Sequence, residues 1–225
     1  MKIGMITYDS PHLKTEQVLM GLILTGQTEI DIICVPFVAR PRRQPLFCHR
    51  PDMSSGTHPR LLAEALGLRS VICANVHEIP TNYDYMIVGG AGILPPNIVI
   101  KVPIINAHPG LIPTVRGLDS FKWSILDGMP LGVTLHFLDA AVDAGEVVAS
   151  MRTPVIQTDS IETLARRHYE LEITMLSNAL TFVASGQPSK MDLPVRQARK
   201  RMGIEMEKKM LSVFEEYRDL FRQHY

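Results

Sequence analysis

Neither sign of charge is in excess in this chain of 225 residues, where 23 Lys and Arg face 23 Asp and Glu. Without a net charge there is no overall field to recruit nucleic acid or an anionic membrane surface. Cysteine is scarce: Cys34, Cys48 and Cys73 stand far apart, and no CxxC pair occurs. An odd, dispersed set describes neither a disulfide framework nor a zinc site, so no metal is expected. Cys34 and Cys73 sit in apolar runs and read as buried thiols. Aromatics are few, and the one tryptophan, Trp123, reads as a packing residue rather than a stacking platform. No apolar run approaches the roughly 20 residues that span a bilayer. The N-terminus "MKIGMITYDS" turns polar too early for a signal peptide. The expectation is a soluble cytoplasmic protein with a small-molecule partner, no nucleic acid and no membrane.

What the chain has is 46% hydrophobic residues, enough to fill a sizeable core. Short apolar runs at 2–6, 30–38, 70–74, 85–90 and 103–108 read as strands. Their near-continuous apolar character fits burial on both faces, as in a parallel sheet. Between them, "TEQVLMGLIL" and "THPRLLAEALG" read as helices, the first capped by Thr15 and the second stopped by Gly67. The alternation predicts an α/β fold: a doubly wound, Rossmann-like, mostly parallel sheet with helices on both faces. Such sheets bind ligands beyond the carboxyl ends of their strands. Residues 132–139 and 145–155 are also strand-like, 159–184 reads as one long helix, and the segment from Arg199 onward as an amphipathic helix. The expected organisation is a catalytic domain over 1–188 and a helical extension over 189–225. The terminal helix packs on its own domain or pairs with a second subunit, so a homodimer is possible.

One stretch is specific. Asn106-Ala107-His108 ends an apolar strand, "GLIPTVRG" follows, then "VTLHFLDAAVDAG". These spaced elements resemble the signature of the folate-dependent formyltransferase superfamily: Asn-x-His, a Leu-x-Pro turn with a nearby glycine, a Thr-x-His strand and an Asp-x-Gly loop. The match is good from about Tyr85 to Pro188, and four ordered elements are far more specific than any one. In character the chain is most similar to the amino-sugar N-formyltransferases.

The resemblance implies N10-formyltetrahydrofolate as formyl donor cosubstrate and an amine as acceptor, with Asn106, His108 and Asp143 as catalytic residues. Chemistry agrees with those types. Acyl transfer builds negative charge on the formyl oxygen, and an Asn amide N–H placed there contributes roughly 3–4 kcal/mol. An imidazole titrates near neutrality and can move a proton at the reacting centre. A carboxylate at Asp143 favours the protonated imidazole. The resemblance also implies a folate pocket along "VGGAGILPP", lined by Gly90, Gly92, Ile93 and Leu94, with Ala140, Ala141 and Val142 closing its other side. Arg116, Asp119 and Ser10 are candidate acceptor contacts. For His136, support of the site and plain packing stay equally open.

The acceptor is narrowed by absences. A methionyl-tRNA enzyme of this family carries a sizeable C-terminal domain and a basic surface, neither expected here. A glycinamide ribonucleotide enzyme carries a glycine-rich loop after its first strand, whereas this chain has no glycine between Gly4 and Gly21. Without glycines, backbone amides do not easily converge on a phosphate. An amino sugar, free or nucleotide-linked, is the expected acceptor. The alternatives are a phosphoribosylglycinamide formyltransferase-like enzyme or a formyltetrahydrofolate hydrolase. The segment 39–60, with Arg40, Arg42, Arg43, Arg50 and Arg60 against Asp52 alone, reads equally as an anion-binding loop or a solvated one.

Overall fold

The computed structural model describes residues 1–38, 44–139, 145–189 and 196–222. Apolar runs become parallel strands β1 (Ile3–Tyr8), β2 (Ile30–Val35), β3 (Arg69–Ile72), β4 (Tyr85–Val88) and β5 (Ile104–His108). Two further strands, β6 (Gly132–Phe137) and β7 (Val147–Arg152), continue the sheet antiparallel, giving the order β3-β2-β1-β4-β5-β6-β7. The expected α/β, mostly parallel architecture is present.

Alternation along the strands divides the core in two. Ile3, Met5, Ile32, Ile87 and Ile105 face α1 (Leu13–Leu24) and α5 (Ile161–Ser177), meeting Val18, Leu19, Leu22, Met175 and Leu176. Ile6, Ile33, Met86 and Ile104 face the other way, onto Ile98 and Val99 of α3 (Pro96–Val99). Leu19 and Leu22 are fully buried, and each contributes roughly 1.5–3 kcal/mol of burial. The helix α2 (Pro59–Ala65) covers β2 and β3. No helix among the described residues is long and apolar enough to cross a membrane.

Three helix boundaries differ from expectation. α1 starts before Thr15, because the imidazole Nδ1 of His12 takes the cap by accepting the Thr15 amide N–H at 3.3 Å. The Thr15 hydroxyl turns inward instead, onto Thr7 Oγ1. The long helix breaks at Asn178, whose side-chain amide donates to the Thr174 carbonyl at 2.8 Å and competes with the helical ladder. α6 (Ala179–Ser185) follows. The C-terminal helix is two pieces, α7 (Ile204–Ser212) and α8 (Phe214–Phe221), meeting at Val213. Met210, Phe214 and Tyr217 bury against Phe121 and Ile125 of α4 (Ser120–Leu126).

Ahead of α7, residues 196–202 run over the 113–119 loop as a strap. Arg199 N–H donates to the Arg116 carbonyl and Leu118 N–H to the Arg199 carbonyl, both at 2.9 Å. The Trp123 indole N–H donates to the Lys200 carbonyl at 2.9 Å, with the Arg199 guanidinium 4.5 Å from its ring. Gly117 makes the contact possible: its φ of +89° is left-handed, and a Cβ there would lie 2.3 Å from the Arg199 carbonyl oxygen.

Candidate active site

The strand order reverses between β1 and β4, and the crevice beyond the carboxyl ends at such a switch is where open α/β sheets bind ligands. Tyr8, Val88 and His108 end their parallel strands on that edge. β5 carries Asn106 half-buried and His108 at 4% exposure. Because β6 is antiparallel, it lays His136 opposite Asn106 and Thr134 opposite His108. All the elements of the Asn-x-His and Thr-x-His motifs therefore meet at one place.

Hydrogen bonds orient Asn106. His136 is fully buried, and its Nδ1 lies 3.1 Å from the Phe137 carbonyl, which can only accept, so Nδ1 carries the proton. In the neutral ring Nε2 is then an acceptor, and it lies 3.3 Å from the Asn106 side-chain nitrogen. The Asn106 amide donates one N–H to His136, and among the described residues its other N–H meets no acceptor. His136 both packs in the core and touches Asn106.

Thr134 stitches the turn after His108. Its hydroxyl donates to the Gly110 carbonyl at 2.8 Å and accepts the Ile112 amide N–H at 3.1 Å. On the other side, His168 of α5 places Nε2 3.3 Å from the Pro109 carbonyl and Nδ1 2.7 Å from the Thr153 hydroxyl. Burial, with Arg50 and His108 adding to it against the opposing Glu172, holds the His168 imidazole down at about 4. It is therefore a neutral brace at physiological pH. His108 itself points Nε2 at the Val115 carbonyl at 3.0 Å and at the Ser120 hydroxyl at 3.3 Å.

Beneath the turn lies a buried ion cluster. Glu172, 1% exposed, accepts from Lys14 Nζ at 2.7 Å and from Arg50 at 2.5 Å. Burial opposes the charge on Glu172, yet Arg50 and Lys14 outweigh it and pull the carboxyl down to about 2. Nearby, His12 is lowered to about 4 by burial, then by Lys14 and Arg50.

Other expected site residues fall as follows. A Cβ on Gly90 would lie 2.7 Å from His12 Cε1, whereas one on Gly92 would meet nothing within 4 Å. Gly90 is thus required by the His12 ring, and Gly92 borders open space. Ile93 is 84% exposed, while Leu94 is buried with Ile98 and Val99. Ser10 is half-buried just past the end of β1. Arg116 donates to the Arg196 carbonyl at 2.8 Å, and Asp119 accepts from the Met202 amide at 2.9 Å, so both take part in the strap. Ala140, Ala141, Val142 and Asp143 lie outside the described residues, as do Arg40, Arg42 and Arg43.

Of the remaining arginines of the basic segment, Arg50 is partly buried and Arg60 is exposed, and each meets an acid. Arg50 pairs with Glu172, and Arg60 Nε sits 2.9 Å from Asp9 Oδ1, an ion pair whose angle falls short of a hydrogen bond. Phe47 joins the core beside Phe121. The residues that sequence reasoning missed are Lys14, Val115, Ser120, His168 and Glu172. Glu172 and His168 repeat at helical spacing within a buried face; nothing local marks the other three. Among the described residues, no group of three His, Cys, Asp or Glu side chains is placed to hold a metal.

Residues 74–180 match the formyl transferase family model, and this segment carries Asn106, His108, Thr134 and His136. The resemblance to the folate-dependent formyltransferase superfamily stands. Over 107 residues, 46% of this chain, the sequence is 34% identical to a methionyl-tRNA formyltransferase of Koribacter versatilis, of which it covers 34%. In structure it is similar to a sugar N-formyltransferase from Shewanella sp FDAARGOS_354, at TM-score 0.61 and 19% identity, covering 94% of this chain and 87% of that one. It is similar too to a phosphoribosylglycinamide formyltransferase from Campylobacter jejuni, at TM-score 0.61 and 20% identity, covering 82% and 97%. These structures share the fold. The chain spans between 6% and 37% of the length of the curated relatives it matches.

Proposed function

We propose that this protein transfers the formyl group of N10-formyltetrahydrofolate to the amine of a small acceptor, an amino sugar or nucleotide-linked amino sugar. The observation that carries the reading is the oriented Asn106 amide beside His108 at the carboxyl edge of β5, within formyl transferase sequence. The donor supplies an activated formyl group; the chain supplies charge stabilisation and proton movement. The second N–H of Asn106 donates to the oxygen on which negative charge grows. His108 takes up or returns a proton at the reacting centre. Asp143 is the proposed third member, favouring the charged imidazole. Gly92 and Ile93 border the proposed donor pocket.

The acceptor assignment rests on the start of α1. An anion held there needs the first amides of the helix, but the backbone of Gly56 is packed over them. A Cβ on Gly56 would lie 2.3 Å from the Leu13 nitrogen. The Asp9 carboxylate, paired with Arg60, stands at the same end of β1. Both features favour an acceptor without a phosphate at this position.

The test incubates the protein and formyl-folate with a panel of amino sugars, free and nucleotide-linked, and with glycinamide ribonucleotide. Mass spectrometry reads the gain of one carbonyl. Formylation of glycinamide ribonucleotide alone overturns the sugar assignment, and folate turnover without any formylated amine points to a hydrolase. Asn106→Ala, His108→Ala and Asp143→Ala are each expected to abolish transfer in a folded protein.

A further inference from the structure

Among the described residues, two groups face Nε2 of His108, and neither can give it a proton. The Val115 carbonyl, at 3.0 Å, only accepts. The Ser120 hydroxyl, at 3.3 Å, has already donated its hydrogen to the Gly117 carbonyl at 3.0 Å, which leaves only its lone pairs for the ring. Both are buried, so water does not replace either partner. A buried acceptor pair facing an unprotonated nitrogen would place lone pairs against lone pairs, at the desolvation cost of unmet hydrogen bonds.

We propose that Ser120 is a positioning residue which, with the Val115 carbonyl, keeps a proton on Nε2 of His108 and reserves Nδ1 as the nitrogen that exchanges protons in the reaction. The proposal rests on the formyl-transfer reading of His108. It goes further by assigning the tautomer and the group that sets it. The strap is part of the device. Val115 and Ser120 flank the 116–119 loop, and residues 196–202 hold that loop through the Arg116, Leu118, Asp119 and Trp123 contacts. Ser120 acts through His108 alone, since its hydroxyl lies against the ring and the Gly117 carbonyl. Among the described residues, the other titratable groups around the ring are His168 and Glu172 on α5 with Arg50 beyond them, and His136 on β6, across Asn106; the proposed Asp143 acts on the charged ring in addition to these. His168 is neutral at physiological pH, so the tautomer of His108 is set by hydrogen bonds rather than by a titrating neighbour on that side.

The test is a ring-nitrogen NMR experiment on the 15N-labelled full chain without substrate, with the His108 signals assigned from His108→Gln. The expected result is a protonated Nε2 in the neutral ring. In Ser120→Ala, a measurable share of the Nδ1–H tautomer is expected. Turnover should fall roughly tenfold, the size of one hydrogen bond to a charged group. Because an acceptor at Nε2 favours the imidazolium, its loss moves the ring's titration, and the matching limb of the kcat profile, to lower pH. KM for formyl-folate should stay within about twofold, and Ser120→Thr should restore the tautomer and the profile. Trp123→Phe loosens the strap without touching the ring, and serves if Ser120→Ala does not fold; a smaller shift in the same direction is expected. A wild-type ring protonated on Nδ1, or an unchanged tautomer and pH profile in both variants, overturns the proposal. Because the NMR readout needs no turnover, a chain that shows the tautomer response yet formylates no amine contradicts the functional reading and not the assignment at Nε2.

Discussion

A Cβ on Gly110 would stand 2.7 Å from Nε2 of His108 and equally close to the Val115 carbonyl that this nitrogen faces. The glycine two residues after the histidine is the space into which its ring is fitted. Gly110→Ala is expected to push the imidazole off Val115, with a stability loss of about 1–3 kcal/mol from overpacking. Turnover should fall by more than the melting point suggests. Steady-state rates beside thermal melts check this, and wild-type turnover in a folded Gly110→Ala protein contradicts it.

Asn106 and His136 form a second pair with separable effects. Asn106→Ala should reduce turnover by about 10²–10³-fold, the loss of one charge-stabilising donor. His136→Phe keeps a buried ring but removes the acceptor that orients the amide, together with the Nδ1–H donated to the Phe137 carbonyl. It should therefore cost less than Asn106→Ala, and the double variant should cost no more than Asn106→Ala alone. Additive losses in that cycle would show that His136 acts independently of Asn106.

The ion cluster under the turn predicts an asymmetry in stability. Glu172→Gln leaves Lys14 and Arg50 without their anion in a buried setting, and about 3–5 kcal/mol should be lost. Arg50→Gln should cost less, because Lys14 still pairs with Glu172 at 2.7 Å and the Arg50 side chain is 30% exposed. Urea unfolding midpoints of the two variants decide it.

Acid should weaken the fold from an unusually high pH. His12 and His168 are lowered to about 4 and His49 to about 3, chiefly by burial. Their unfolded forms bind protons from about pH 6.5 downward. Between those values the unfolded chain holds more protons, so stability is complete above about 6.5 and falls as pH drops toward 4. For the fully buried His168 this is on the order of 3 kcal/mol. Glu172, depressed to about 2, extends the loss below its unfolded value of 4.5. Thermal melts from pH 7.5 to 4.5 should show a steady decline, and His168→Gln should flatten it; a flat profile in the wild type would count against neutral burial of these rings.

The sheet and the central motif were legible in the sequence because both rest on local pattern. Strands such as Ile30–Val35 are apolar throughout because both faces are covered, and Asn106 and His108 stand out at the end of such a run. The supports of the site were not legible because they join residues far apart in the chain. Lys14 meets Glu172 across 158 positions, and Trp123 meets Lys200 across 77. Arg50 was ambiguous for the same reason: as a sequence position it is one more basic residue in a loop, and only the packing of that loop on α5 discloses its anion. The cap of α1 was misplaced because a histidine supplied the acceptor that Thr15 was expected to supply.

The strap also dictates an order of assembly. Every described strand of the sheet, with Asn106 and His108 among them, lies before residue 153, but the segment that clamps the 116–119 loop comes at 196–202. A chain growing from its N-terminus can pair its strands and close its two cores before that segment exists. The clamp on the loop between Val115 and Ser120 arrives after them, so His108 acquires these surroundings only once residues 196–202 have been made. A nascent chain held short of Met202 would carry its described strands paired while the turn after His108 still lacked its clamp.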